Sequence, residues 1–191
     1  MSRIRFTALL ALGLLGACAE GAAPRVVAPL DLPVPAALRQ TNTEPGRAAI
    51  GFTDSVFDRT ARLQGRPATI ADAVSELEWL TVTLPTDQRW IGLPGNVAGS
   101  FPGARDEVRQ AFGLRPDATA AQVITAMDGA AAALRANDRD AALRALAAVT
   151  PPGGAERTLA ALAAPPALPR ASQATSAAAA GLSQMDRDSR R

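Results

Sequence analysis

The sequence predicts an all-α protein: a small alanine-rich helical bundle with antiparallel helical hairpins, one long Gly/Pro-rich loop and flexible ends. Three observations predict it. From Arg47 onward, apolar residues recur at helical spacing. Alanine fills 44 of the 191 positions, which favours helix and lets helix axes approach closely. The one clear alternation with period two, Leu80 to Leu84, has no second strand to pair with, so it too is assigned to helix.

Taken in order, residues 1–17 carry Arg3 and Arg5, an apolar run from Phe6 to Leu15, and the small residues Gly16 and Ala17. This is the pattern of a secretory signal. The run is about ten residues, too short for a helix to span a bilayer of ~30 Å. Residues 18–46 are rich in proline, at positions 24, 29, 33, 35 and 45. Each ring fixes φ and removes a backbone donor, so a semi-extended tether is expected. Leu30, Leu32, Val34 and Leu38 give that tether apolar handles, for a partner or for the domain itself.

The expected helical domain covers residues 47–164. Ala49, Phe52, Val56 and Leu63 line a first stripe, with Asp58 and Arg62 paired one turn apart on its outer face. Thr69 and Asp72 resemble a capping box opening a second helix through Ile70, Val74 and Leu77. Residues Pro85 to Gly103 hold three prolines and four glycines, and predict the long loop. Arg105 to Phe112 reads as a short helix closed by Gly113. Thr119 and Gln122 form the clearest helix start, opening the stripe Val123, Ile124, Met127, Ala131 and Leu134. Asn137 breaks that helix and Asp138 can cap the next, which makes the pair an antiparallel hairpin. Leu159 and Leu162 mark another short helix. Residues 165–191 make an alanine-rich terminal helix and a charged tail, either docked by Ala171, Ala174 and Ala178 or mobile. Only 38 large apolar residues follow the signal, a thin supply for a core.

Leu15-Gly16-Ala17-Cys18 resembles the lipobox of bacterial lipoproteins, and Cys18 is the only cysteine. The resemblance covers the signal alone. It implies cleavage after Ala17, lipidation of Cys18 by palmitate-type acyl chains and acylation of the new amino terminus. Several chains hold a bilayer far more firmly than one. Ala19 follows the cysteine where an aspartate would signal retention, which implies an outer-membrane lipoprotein facing the periplasm.

The inventory also removes chemistry. All 20 basic residues are arginine, and there is no lysine, histidine or tyrosine. Schiff-base chemistry, Ser-His-Asp triads and imidazole metal sites are therefore excluded. Once Cys18 is acylated, no thiol remains. Carboxylates are the remaining acids and bases. Glu76 and Glu78 lie two apart and on different faces, while Asp54 and Asp58, one turn apart, could converge on a hard cation. Solvated helix faces are the simpler reading for all four. The segment Gly92 to Gly99 lacks the Gly-Lys-Ser/Thr ending of a phosphate loop. Asp138-Arg139-Asp140 lacks the continuation of a calcium loop. No catalytic residue, metal site or cofactor is expected.

Arginines are scattered among equal acids, so no nucleic-acid partner is expected. Without the signal, 18 arginines face 18 acids, and at reference pKa values no side chain is expected to titrate between about pH 5 and 12. Trp79, Trp90 and Phe101 are candidate partner-binding residues near the glycine-rich segment; the competing reading has them pin that loop to the helices. The expected function is a membrane-anchored, non-enzymatic binding or structural module of the cell envelope. It would be held by the lipid bilayer through Cys18 and would engage an envelope protein. The alternatives are a carboxylate-dependent cell-wall hydrolase and a carrier of a small apolar ligand, its pocket behind the Pro85–Gly103 loop. Gly181-Leu182-Ser183-Gln184 resembles a lytic transglycosylase signature, but no Glu-Ser step accompanies it and Glu76 precedes Leu77.

Overall fold

A computed structural model describes residues 32–191, and these are all-α. Seven α-helices follow in order: α1 (Pro45–Phe57), α2 (Pro67–Thr83), α3 (Gly95–Ala111), α4 (Ala120–Arg135), α5 (Arg139–Ala147), α6 (Ala155–Ala163) and α7 (Pro169–Asp188). Single 3-10 turns occupy Leu38–Gln40, Thr60–Leu63 and Gln88–Trp90. No strand occurs among the described residues, and none of their helices is long and apolar enough to cross a membrane.

Helix α2 is the axis of the bundle. Every residue from Ile70 to Thr81 is buried. A helix with no solvent face must be enclosed by other helices, and α4, α1, α3 and α6 all pack on it. Its tail through Thr83 confirms helix over strand at Leu80–Leu84. Helix α4 opens on the expected capping box: the Gln122 amide donates to Thr119 Oγ1 at 3.2 Å, and Gln122 Oε1 accepts from the Thr119 amide at 2.9 Å. Asn137, at φ 58°, turns the chain in the left-handed region that asparagine tolerates. Asp138 then caps α5 by accepting from the Ala141 amide at 2.8 Å. Helices α4 and α5 pack face to face as the hairpin requires.

The structure departs from the sequence reading in four places. The Pro85–Gly103 segment is mostly not a loop, because α3 begins at Gly95. Val97, Phe101, Ala104 and Val108 follow one buried stripe straight through it. Pro102 sits inside this helix with its ring exposed, and Ala98, whose carbonyl loses its partner to the ring, is only half-buried. Second, Thr69 caps nothing; α2 starts earlier, at Pro67, where the missing amide costs no hydrogen bond. Third, α1 stops at Phe57, so Leu63 lies on a separate turn and Asp58 pairs with Arg59 rather than Arg62.

The fourth difference concerns both ends. Helix α7 lies on α1 and α3, burying Ala171, Ala174, Ala178, Gly181 and Leu182, so the helical unit extends beyond residue 164. Arg47–Asp186 (2.8 Å), Ser176–Asp54 (2.6 Å) and the Ala171 amide to Glu107 (2.9 Å) fasten it along its length. At the other end, part of the expected tether is an arm, residues 32–43, that packs on the helices. Pro35 and Leu38 are buried, and the Ala36 amide donates to Asp128 Oδ2 at 2.7 Å. Glu44 caps α1 by accepting from the amides of Gly46 and Arg47 at 3.0 and 2.8 Å.

Gly46 and Gly99 show how much the packing demands. A Cβ on Gly46 would lie 2.2 Å from the Trp90 ring, whereas one on Gly99 would meet nothing within 4 Å. Gly46→Ala is therefore expected to destabilise by about 1–3 kcal/mol. Gly99→Ala is expected to be neutral or stabilising by up to ~1 kcal/mol, from helix propensity alone. Chemical denaturation of the two variants checks both signs.

Candidate functional site

Three of the four acids in or beside the α2–α4 and α2–α3 seams belong to α2. Asp72, Ser75 and Glu76 stand at i, i+3 and i+4, and so share one face. Glu78, two residues further, turns to another face. The first set meets α4. Asp128 on α4 accepts from Ser75 Oγ at 2.7 Å and from the Ala36 amide of the arm, so one carboxylate joins α2, α4 and the arm. Asp72, 5% exposed, pairs with Arg135 of α4. Burial raises its pKa, the Arg135 hydrogen bond and charge lower it, and the nearby Asp128 raises it further.

Glu76 has no such partner. It is 2% exposed, and its Oε2 has no hydrogen bond. A buried carboxylate without a partner is costly, so the group keeps its proton instead. Burial first, then the charges of Asp72 and Asp128, push its pKa up to about 8. Ordinary side-chain values would leave nothing in the chain to titrate between about pH 5 and 12, and burial moves Glu76 away from its ordinary value. A neutral acid sits in the centre of the bundle.

On the opposite side, Glu78 meets Arg109 of α3. Arg109 Nε and Nη2 donate to the two carboxylate oxygens at 2.6 and 2.8 Å, and Nη1 donates to the carbonyls of Ala118 and Pro116 at 2.9 and 3.2 Å. Burial pushes the Glu78 carboxyl up, and the hydrogen bonds and charge of Arg109 oppose it. The guanidinium is held above its ordinary range, chiefly by its hydrogen bonds to Glu78. The planar, two-pronged geometry and the carbonyls behind it make this a fully satisfied buried pair.

Glu76 and Glu78 are thus sealed in the core rather than solvated. Asp54 is half-buried and engaged by Ser176, while Asp58 is exposed and pairs with Arg59. They do not form a cation site, and among the described residues no three His, Cys, Asp or Glu side chains are grouped to hold a metal ion. The aromatic candidates are also interior. Trp79 is 6% exposed on α2, Trp90 is 6% exposed against Gly46, and Phe101 is fully buried on α3. An anchor for a partner must present its ring, and these three fill the core. The exposed large residue of that region is Ile91, at 82%. Ala17 and Cys18 lie outside the described residues.

Several grooves lie on the surface, and two of them border α4. One, about 750 Å³, runs between the start of α2 and the α4–α5 turn, with Arg66, Arg135 and Arg139 along it. The other, about 460 Å³, lies between α4 and α5 on Ala121, Ala126, Ala145 and Ala148, with Gln122 and Thr125 at its edge. No protein-family model, curated protein or solved structure matches this chain.

The sequence reading missed Ser75, Arg109 and Asp128 as site residues. A signal for the buried acids was present. Between Ile70 and Leu84 apolar residues fall on every side of the helix, which leaves Asp72, Glu76 and Glu78 no face to solvate. Asp128 interrupts an apolar stripe beside Met127 and Ala131.

Linkage makes Glu76 measurable. A carboxyl whose folded pKa is raised above its ordinary 4.5 stabilises fully below that value, and the stability is lost as pH rises towards about 8. Glu76→Gln removes the ionisation and keeps the shape. The wild-type chain is expected to lose melting temperature relative to Glu76→Gln across this window, with the variant the more stable at its upper end. Thermal melts at a series of pH values decide it, and parallel curves would contradict the assignment.

Proposed function

We propose that the protein is a lipid-anchored, periplasm-facing module of the bacterial cell envelope that binds or supports another envelope component and does no chemistry itself. The observation that carries this reading is the single cysteine at position 18, behind two arginines, a short apolar run and Gly16-Ala17. The arrangement after it is consistent with that role: a proline-rich stretch leads into an arm that joins the helices at Pro35 and Leu38. The outer membrane is the proposed destination, from Ala19 in the position that follows the cysteine.

The exposed features that a partner would meet are Ile91, the arginine-lined groove and the alanine groove of the α4–α5 hairpin. The rival readings draw less from the geometry. A hydrolase of the carboxylate type needs two acids across an open cleft, and Glu76 and Glu78 are closed off by packing. A carrier pocket behind residues 85–103 would need the space that Trp90, Val97 and Phe101 fill.

Metabolic labelling with a palmitate analogue, followed by membrane fractionation, tests the anchor. The native chain is expected to carry label and sediment with membranes, and Cys18→Ala to lose label and become soluble. A Cys18→Ala chain that stays wholly in the membrane rules the anchor out. Photo-crosslinkers at Ile91 and Gln122, both exposed, are expected to capture a discrete envelope protein in living cells. If neither position gives a discrete adduct, the partner part of the proposal fails.

A further inference from the structure

The groove of about 750 Å³ between the start of α2 and the α4–α5 turn is lined by three arginines and by no acid. They come from three places: Arg66 precedes α2, Arg135 ends α4 and Arg139 opens α5. Pro67, Ala68, Leu134, Leu159 and Ala163 give the same groove an apolar lining. From this juxtaposition we propose that the groove binds a small amphiphilic anion taken from solution, a phosphate or carboxylate head on a short apolar body. The arginines hold the head, and the apolar lining covers the body. The inference rests on the binding role proposed above and names a ligand class for one of its surfaces; the anchor at Cys18 plays no part in it.

Each guanidinium keeps donors for such a head. Arg66 is exposed and takes part in none of the ion pairs among the described residues. Arg135 gives Asp72 one nitrogen, Nη2, and retains Nε and Nη1. Arg139 gives both Nη atoms to Glu156 and retains Nε. Glu156 is therefore a resident carboxylate on one of the groove's arginines. More than half of each partner's side chain is exposed, and an exposed pair of this kind holds weakly, so a ligand can compete with it. No neighbouring acid lines the groove. Asp72 is buried on α2, Asp138 accepts from the Ala141 amide to cap α5, and Asp140 follows Arg139 without lining the groove. Planar guanidiniums suit an oxyanion, because their paired N–H groups match its oxygens two at a time.

The walls are fixed before any ligand arrives. The Gly65 amide donates to the Ala163 carbonyl at 2.7 Å, tying the turn before α2 to the end of α6. Asp72 and Arg135 join α2 to α4, and Asn137 turns the chain between α4 and α5. A preformed site loses little freedom on binding. Its volume suits a small molecule, since ligand pockets run from about 300 to 1,000 Å³. A membrane surface suits it less. The large hydrophobic residues exposed among the described residues are Val34 and Ile91, and neither lines the groove, so no apolar collar surrounds it for insertion into lipid.

Calorimetric titration of hexyl phosphate into the full-length chain in maltoside detergent, against detergent alone, tests the groove. Saturable binding is expected, about tenfold or more tighter than that of inorganic phosphate, which lacks the chain, or of hexanol, which lacks the head. Arg66→Ala is expected to weaken it about tenfold, and Arg139→Ala provides a second exposed position should the first not fold. Glu156→Gln, which frees Arg139, is expected to tighten it about two- to fivefold. Absence of saturable binding to the wild type overturns the proposal. So does unchanged affinity in the arginine variants, equal affinity for hexyl phosphate and inorganic phosphate, or binding seen only with vesicles containing phosphatidic acid. Cys18→Ala is expected to bind hexyl phosphate as the wild type does, and a missing crosslink at Ile91 or Gln122 leaves these affinities unchanged. Failure of the anchor, of the partner and of the groove are thereby told apart.

Discussion

A helix without a solvent face is the constraint from which this architecture follows. Helix α2 buries every residue from Ile70 to Thr81, so the chain must supply packing partners on all sides of it. Helices α1, α3, α4 and α6 do so, and α7 closes α1 and α3 from outside. Large apolar side chains are few, and the chain compensates with small ones. Ala71, Ala73, Ala130, Ala131, Ala171 and Ala178 are all fully buried. Each contributes little transfer energy, but small residues let helix axes come close, and close packing recovers dispersion contacts along the whole length of a helix.

The same constraint governs the polar groups. A central helix cannot turn its acids to water, so each needs an internal partner. Glu78 has one in Arg109, which is satisfied in turn by two carbonyls. Asp72 has Arg135. The buried threonines Thr53, Thr81, Thr158 and Thr175 return their hydroxyls to backbone carbonyls at 2.7–2.9 Å. Glu76 stands apart because it is resolved by a proton rather than by a partner. Trp90 Nε1, Arg105 Nε and Arg115 Nε are also buried without a hydrogen bond, but Glu76 is where burial makes stability depend on pH.

The seam between α2 and α4 also holds the arm. Asp128 accepts from both Ser75 of α2 and the Ala36 amide, so one side chain joins two core helices to the arm. The arginine-lined groove is linked to the same seam through Arg135, which lines it and pairs with Asp72, whereas the floor of the groove beside α5 is alanine. The arm and the arginine-lined groove therefore each have a physical link to the interior that the alanine groove lacks.

What could be read without the fold was local or linear. The Thr119 box and the Asp138 cap are set by residues within one turn of each other, and the helical period of the apolar stripe carries α4 and α6. The address at Leu15 to Cys18 is likewise a linear pattern, independent of packing. The tertiary structure decided everything that depends on how many neighbours a helix has. Gly95, Gly99 and Pro102 are local signals for a loop, yet the burial of Val97, Phe101 and Val108 against the bundle outweighs them. Trp79 and Trp90 could have been anchors or core, and enclosure made them core. The fate of Glu76 was decided the same way. Spacing places it on a face of α2, but only the enclosure of α2 by its neighbouring helices removes the water that would have kept it ionised.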